Sequence, residues 1–345
     1  MSAPGTAVPI FERNIPAGDR EITVVQALNE ALREEMKRDP NVVLLGEDIG
    51  LNWHGAFKIT NGLAEEFGTD RVRDTPISEN AIIGCGVGAA LTGLRPVCEI
   101  MFGDLVTLAM DQIVNQAAKM RFMFGGQASV PLVIRAPFGA GGNYAGHHSS
   151  SFEAWFAHVP GLKVVQPSTP FDAKGLLKSA IRDGNPVIFC EHKMCYRQKG
   201  LVPKEEYVIP FGVADVKREG SDVTIIATSY MVFKALKAAD ILHEQGISAE
   251  VIDPRTLVPF DSKTIGESVK KTGRAIIVHE ACDFGGISGE ITKQIIKEAF
   301  WYLDAPIVTV AGLNTVVGFS PVFEDGFRPD EHKIAEAAGD LINGE

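Results

Sequence analysis

Apolar positions along the chain follow two alternating rhythms. Over residues 22–38 they recur at helical spacing with acids and bases between them, and Asp39-Pro40 ends the segment. The next run, Asn41-Val-Val-Leu-Leu45, is short and continuously apolar and closes on Gly46-Glu-Asp48, the pattern of a strand buried on both faces. Similar runs recur at 95–100, 130–135, 162–165 and 186–190, with helical spacing between most of them. The longest helical stretch, 105–123, stops at Gly125-Gly126. This alternation predicts an α/β fold in which a parallel sheet is covered by helices on both faces. Residues 198–212 break the rhythm with Pro203, Pro210, two glycines and a cluster of Lys and Glu. Beyond them the pattern restarts, with strands over 222–227, 249–253, 274–279 and 305–310 and helices over 231–245, 262–271 and 289–300. The expected organisation is an N-terminal arm (1–20), a first α/β domain (21–200), a linker (201–212) and a second, smaller α/β domain (213–345). No short-period repeat interrupts it.

The composition fits that picture. A chain of 345 residues exceeds one ordinary core and favours two domains, and 45% hydrophobic with 22% charged residues is a globular balance. A net charge of −11 argues against nucleic acid or an anionic membrane as partner and leaves small molecules and proteins. The five cysteines (85, 98, 190, 195 and 282) form no C-x-x-C pair, so a disulfide framework or structural zinc is not expected and a reducing compartment is. No apolar run reaches the ~18 residues of a membrane span. The first twenty residues lack a basic head followed by a hydrophobic block, and the expectation is a cytoplasmic chain.

Candidate chemistry begins at Asp74-Thr-Pro-Ile-Ser-Glu79, which runs straight into the small apolar segment Asn80-Ala-Ile-Ile-Gly-Cys-Gly-Val-Gly. A carboxylate at the mouth of a buried segment is partly desolvated, which suits acid and base work. The same position also suits a plain first-turn glutamate. Three glycine clusters, at 84–88, 139–142 and 285–289, fail the dinucleotide fingerprint in spacing or context, and close packing of helix against sheet explains them instead. The segment 139–153 joins a glycine-rich loop to His147-His148 and Ser149-Ser150-Ser151; any of the serines could cap a helix from about 152, and His148 could move protons near neutrality. Asp183-Gly-Asn185-Pro186 is either a simple turn or, with nearby carbonyls, an oxygen cage for a monovalent cation.

Taken together these segments resemble the beta subunit of the thiamine-diphosphate-dependent 2-oxoacid dehydrogenases, the decarboxylating first component of the pyruvate, branched-chain 2-oxoacid and acetoin complexes. The likeness runs from about residue 21 to the C-terminus. It is carried by Gly46-Glu-Asp48, Asp74-Thr-Pro-Ile-Ser-Glu79, Asp111-Gln-Ile, Ala117-Ala-Lys119, Pro131-Leu-Val-Ile-Arg135, Pro160-Gly-Leu-Lys-Val-Val165, Asp172-Ala-Lys-Gly-Leu-Leu177, Asn185-Pro-Val-Ile-Phe189 and Thr272-Gly-Arg274. The resemblance implies a pyrimidine-binding first domain and a transketolase C-terminal-like second domain. It implies that Glu79 hydrogen-bonds the pyrimidine ring of thiamine diphosphate, favouring the imino tautomer that takes the thiazolium proton. His148 would face the cofactor and assist acyl transfer. Ile77, Met101 and Leu105 match the lining of the pyrimidine pocket, Glu47 joins the cofactor-binding residues, and a potassium site maps onto Leu132, Ala180, Ile181, Asp183 and Asn185.

The chain contains no Gly-Asp-Gly, the start of the motif that holds the diphosphate through Mg²⁺ in complete thiamine enzymes. The resemblance therefore implies an alpha subunit that brings diphosphate and Mg²⁺, a two-alpha, two-beta heterotetramer, and a lipoyl acyltransferase core as acceptor. Departures touch the substrate. Ser150 stands where the family usually has Gln, Met101 where some members are polar, and Asp253-Pro-Arg255 replaces Asp-Leu-Arg. The stretches 115–126 and Phe189-Cys-Glu-His-Lys193 are most similar to acetoin-type members. Acetoin and pyruvate thus rank together as substrates, ahead of branched-chain acids. A non-catalytic assembly subunit and a transketolase-like single-chain enzyme are the competing readings.

Overall fold

The computed structural model describes residues 20–344, so the expected arm at 1–20 lies almost wholly outside the described residues. In chain order the first half contains β1 (Arg20–Thr23), α1 (Val24–Arg38), β2 (Val42–Glu47), α2 (Leu63–Phe67), β3 (Val72–Thr75), α3 (Glu79–Leu91), β4 (Arg95–Glu99), α4 (Met120–Met123), β5 (Val133–Phe138), α5 (Glu153–Ala157), β6 (Lys163–Val165), α6 (Pro170–Arg182), β7 (Val187–His192) and β8 (Lys199–Val202). The second half contains β9 (Asp215–Arg218), β10 (Val223–Ala227), α7 (Met231–Glu244), β11 (Ala249–Asp253), β12 (Thr256–Val258), α8 (Ser262–Thr272), β13 (Ala275–Cys282), α9 (Ser288–Ala299), β14 (Val308–Gly312), α10 (Pro321–Phe327) and α11 (Glu331–Asn343).

Two sheets carry the architecture. The first has the order β12-β6-β7-β5-β4-β2-β3 and the second β14-β13-β10-β11-β9. Pairing is parallel except at one edge of each, where β12 and β9 run antiparallel to their neighbours. The inner strands are buried along their whole length, as β5, β7 and β10 show, because helices cover both faces. β12 comes from the second half of the chain yet pairs with β6 of the first sheet.

Local chemistry explains several boundaries. The helical rhythm at 22–38 begins as a strand because Thr23 caps α1: its hydroxyl accepts from the Gln26 amide (3.2 Å), and the Gln26 side chain accepts from the Thr23 amide (2.8 Å). The strand expected at 130–135 starts three residues later, after Pro131, which cannot donate to the ladder. The helix expected at 105–123 is not one α-helix. A 3-10 segment (Gly103–Ala109) leads into a π-helical segment (Gln112–Ala117) and then α4. Val106, Ala109, Ile113 and Ala117 still face the core, and apolar spacing cannot separate ladders that all keep one face inward. None of the three serines caps α5, whose cap is Phe152 without a side-chain bond. Ser150 is instead bound through its backbone, its amide donating to Asp104 (3.3 Å) and its carbonyl accepting from Gly139 (3.1 Å).

Residues 201–212 are clasped to the first half. β8 pairs with β1, Val202 and Ile209 are buried, and the Ile209 amide donates to the Gly175 carbonyl (3.2 Å). Buried charges join the halves further on. Asp172 of α6 receives Lys217 of β9 (2.7 Å) and Arg255 (2.7 Å), and both cations also reach Asp215 (2.6 and 2.9 Å).

Candidate active site

Neighbouring strands of the first sheet run in the order β5-β4-β2-β3, and the candidate residues sit at or just beyond their carboxyl ends, where ligands collect on parallel sheets. Glu47 ends β2 opposite Thr75 of β3, and Gly46 lies opposite Glu99 of β4. The Gly50 amide donates to Asp74 Oδ1 (2.6 Å), which ties the loop after β2 to β3. Three intervening residues, Pro76-Ile77-Ser78, separate β3 from α3, which opens on Glu79.

Glu79 is 6% exposed, and among the described residues its carboxylate has no hydrogen-bond or ion-pair partner. Ile77, two residues earlier, is 75% exposed. Burial, reinforced by the charges of Asp48 and Glu79, raises the Glu47 carboxyl. Glu47, Asp48 and Glu79 therefore form one acidic group at the strand ends. Met101 and Leu105, both half-buried, lie on the segment that follows β4.

Strands β5 and β7 end side by side, with Phe138 opposite His192, and the loop after β5 carries His148. The His148 ring stacks on Phe102 at 4.2 Å with planes 12° apart. Phe102 also meets Tyr144 (5.5 Å) and Phe57 (6.0 Å). His148 Nδ1 lies 2.5 Å from the His147 carbonyl, an acceptor only, so Nδ1 carries the proton and Nε2 of the neutral ring keeps a free lone pair. Phe102 was not among the expected residues, although it sits between two that were. The structure thus sets His148 beside the Met101–Leu105 segment through Phe102, with Glu47 and Glu79 one and two strands further along. No hydrogen bond or ion pair joins His148 to Glu79 among the described residues.

Beneath the strand ends, Arg135 of β5 donates to Glu99 of β4 (2.8 Å) and to both carboxylate oxygens of Glu191 of β7 (2.6 and 2.9 Å), and Tyr196 donates to Glu191 (2.7 Å). A fully paired buried network of this kind makes a rigid floor.

The expected cation ligands also converge. Leu132 precedes β5, and Ala180, Ile181, Asp183 and Asn185 form the last turn of α6 and the turn after it. The carbonyls of Ile181 and Asp183 accept from Arg95 (2.9 and 3.1 Å), and that of Leu132 from the Val187 amide (2.9 Å). Each carbonyl has a second lone pair, and a helix C-terminus favours positive charge. The Asp183 carboxylate is taken by Lys163, Asn185 Nδ2 and the Asn185 amide, which leaves main-chain oxygens and the Asn185 side-chain oxygen for an ion. Among the described residues no group of three or more His, Cys, Asp or Glu is placed to hold a metal. A cleft of about 900 Å³ lined by Trp155, His158, Phe260 and Gln294 contains none of the candidate residues.

Family comparison matches residues 20–199 to the transketolase pyrimidine binding domain and 212–334 to the transketolase C-terminal domain. The chain is 48% identical to the beta subunit of an acetoin:2,6-dichlorophenolindophenol oxidoreductase of Cupriavidus necator, over 94% of this chain and 98% of that one. It is 49% identical to the pyruvate dehydrogenase E1 component subunit beta of Bacillus subtilis (93% and 99% covered) and 47% identical to the 2-oxoisovalerate dehydrogenase subunit beta of the same organism (93% and 98%). Among solved structures, an inactive beta4 tetramer of a split-gene transketolase superposes with a TM-score of 0.74 at 22% identity, covering 93% of this chain and 98% of that one, a likeness of fold.

Proposed function

Because the chain belongs to the family of beta subunits of thiamine-dependent 2-oxoacid and acetoin dehydrogenases, we propose that the four strand ends described above form the pyrimidine half of an active site completed by an alpha subunit. Thiamine diphosphate, when bound, supplies the nucleophilic carbon and the electron sink. Glu79 holds a proton against the pyrimidine ring and returns it, and Ile77, Met101 and Leu105 enclose the ring. Glu47, whose carboxyl is raised by burial and by the charges of Asp48 and Glu79, lies beside Glu79 on the cofactor side of the strand ends. His148 offers Nε2 to the acyl group during its transfer to a lipoyl group.

The observation that carries this reading is the placing of Glu79 at the head of α3: the residue is 6% exposed, and its carboxylate, with no hydrogen-bond or ion-pair partner among the described residues, is left open to a ligand. The alpha chain holds the diphosphate with Mg²⁺, two copies of each chain form the first component, and a lipoyl acyltransferase receives the acyl group. A potassium ion bound by the main-chain oxygens after α6 steadies β5 and β7. Acetoin and pyruvate are the leading substrates, with the acetoin-type stretch ending at Lys193 favouring acetoin. The five free cysteines fit a cytoplasmic location.

Glu79→Gln, assembled with the alpha chain, is expected to lose about 10²–10⁴-fold in substrate cleavage measured by dye reduction, with assembly unchanged by size-exclusion chromatography. Near-wild-type cleavage would sink the proton-relay role and favour a subunit that only bridges its partners.

A further inference from the structure

The loop over residues 139–150 has no regular structure, yet its backbone is gripped from two sides. On the carbonyl side, the Lys193 ammonium donates to Phe138 (3.3 Å), to Gly139 and to His148 (2.6 Å). On the amide side, three carboxylates accept: Glu280 of β13 from Ala140, Glu324 of α10 from Gly141 (2.8 Å) and Asn143 (3.1 Å), and Asp104 from Ser150 (3.3 Å). Two of those acids come from the second half of the chain.

An ammonium has three donors and no acceptor, and here three carbonyls take them with none left over. Lys193 is 7% exposed and among the described residues forms no ion pair; the carboxylates near it are engaged on loop amides, and Glu280 also on His192 (2.8 Å). A lysine kept in the interior without a direct counter-ion, at a cost of desolvation, needs a task that an apolar side chain could not perform. One of its three partners is the carbonyl of His148 itself.

We propose that Lys193 is a positioning residue: by gathering the carbonyls of Phe138, Gly139 and His148 it sets the His148 imidazole against Phe102 in the orientation that acyl transfer requires. This rests on the functional reading above and deepens it. Substrate cleavage, which that reading assigns to Glu79, depends on Lys193 far less. Burial lowers the Lys193 ammonium to about 8, opposed by the charges of Glu280, Asp104 and Glu324. The Phe102 ring lies 5.9 Å from Nζ, and Glu280 is shared with the His192 ring (2.8 Å).

The test uses the assembled alpha–beta enzyme and two rates, dye reduction for substrate cleavage and reductive acylation of a free lipoyl domain for transfer. Lys193→Met is expected to lower transfer about a hundredfold while cleavage stays within about threefold, since a misplacement near 1 Å costs about that much. Lys193→Arg, which keeps the charge and the donors, is expected to recover part of the transfer. Amide hydrogen exchange over 139–150 is expected to quicken in Lys193→Met while α6 stays protected. Equal loss of both rates, or unchanged transfer with unchanged exchange, overturns the proposal. If Lys193→Met does not assemble, Glu324→Gln loosens the amide side and must give the same selective loss; an equal fall in both rates again overturns it. If the wild-type enzyme performs neither reaction, the functional reading fails, while exchange over 139–150 still reads the anchoring role of Lys193.

Discussion

Glu79 and Lys193 are buried residues with opposite circumstances: among the described residues the acid has no partner and the ammonium has three. The hold of Lys193 on its three carbonyls depends on its charge. A deprotonated Lys193 has two donors for three carbonyls, so the hold on the His148 loop slackens above about pH 8. The folded value lies below the ~10.4 of an ordinary lysine, so between the two the unfolded chain binds the proton more tightly, and raising the pH favours the folded state. The expected result is a pH–rate profile in which lipoyl transfer falls above about pH 8. Over the same range Lys193 does nothing to lower the melting temperature, and a parallel fall in Tm would point to general unfolding instead.

Among the elements, the loop after β5 shows where local sequence stops being informative. Gly139 has φ +80°, and a Cβ there would lie 2.1 Å from His192 Nε2, so the glycine serves close loop packing rather than a helix against a sheet. Gly86 is the converse, its Cβ position 2.6 Å from Cys98 Sγ where α3 crosses β4. Gly139→Ala is expected to cost about 2 kcal/mol, read from the urea midpoint, with a larger fall in lipoyl transfer than in substrate cleavage. The strands and most helices were legible because burial on both faces writes long apolar runs, and 249–253 matched β11 to the residue. Glu79 and His148 stand out as candidates through motif resemblance alone, and Phe102 only as a neighbour of Met101. Lys193 appeared in the stretch 189–193, but its role was invisible because its partners are main-chain carbonyls, which carry no sequence signal. Glu280 and Glu324 lie more than a hundred residues from the amides they hold, and no local pattern links them. The edge strands β9 and β12 were missed for a similar reason: they are short and defined by long-range pairing.

At the scale of the whole molecule, the two halves are joined by buried charge as well as by chain. Burial alone would push the Asp172 carboxyl up, but Arg255 and Lys217 prevail and hold it well below the usual carboxylate range. Its contribution to stability is complete above the unfolded value of about 3.9 and disappears as the pH falls through the folded value. Asp172→Asn leaves two buried cations facing an amide and is expected to cost about 3 kcal/mol at pH 7 by chemical denaturation, a gap that narrows once the pH drops below about 4. Strand β12 adds a consequence in time. During synthesis β6 leaves the ribosome some ninety residues before Thr256–Val258 can pair with it, so one border of the first sheet stays open as a template for stray strands. A chain cut short after residue 202 would keep that open border permanently, and it is expected to come out of the cell as aggregate rather than as a separate folded half.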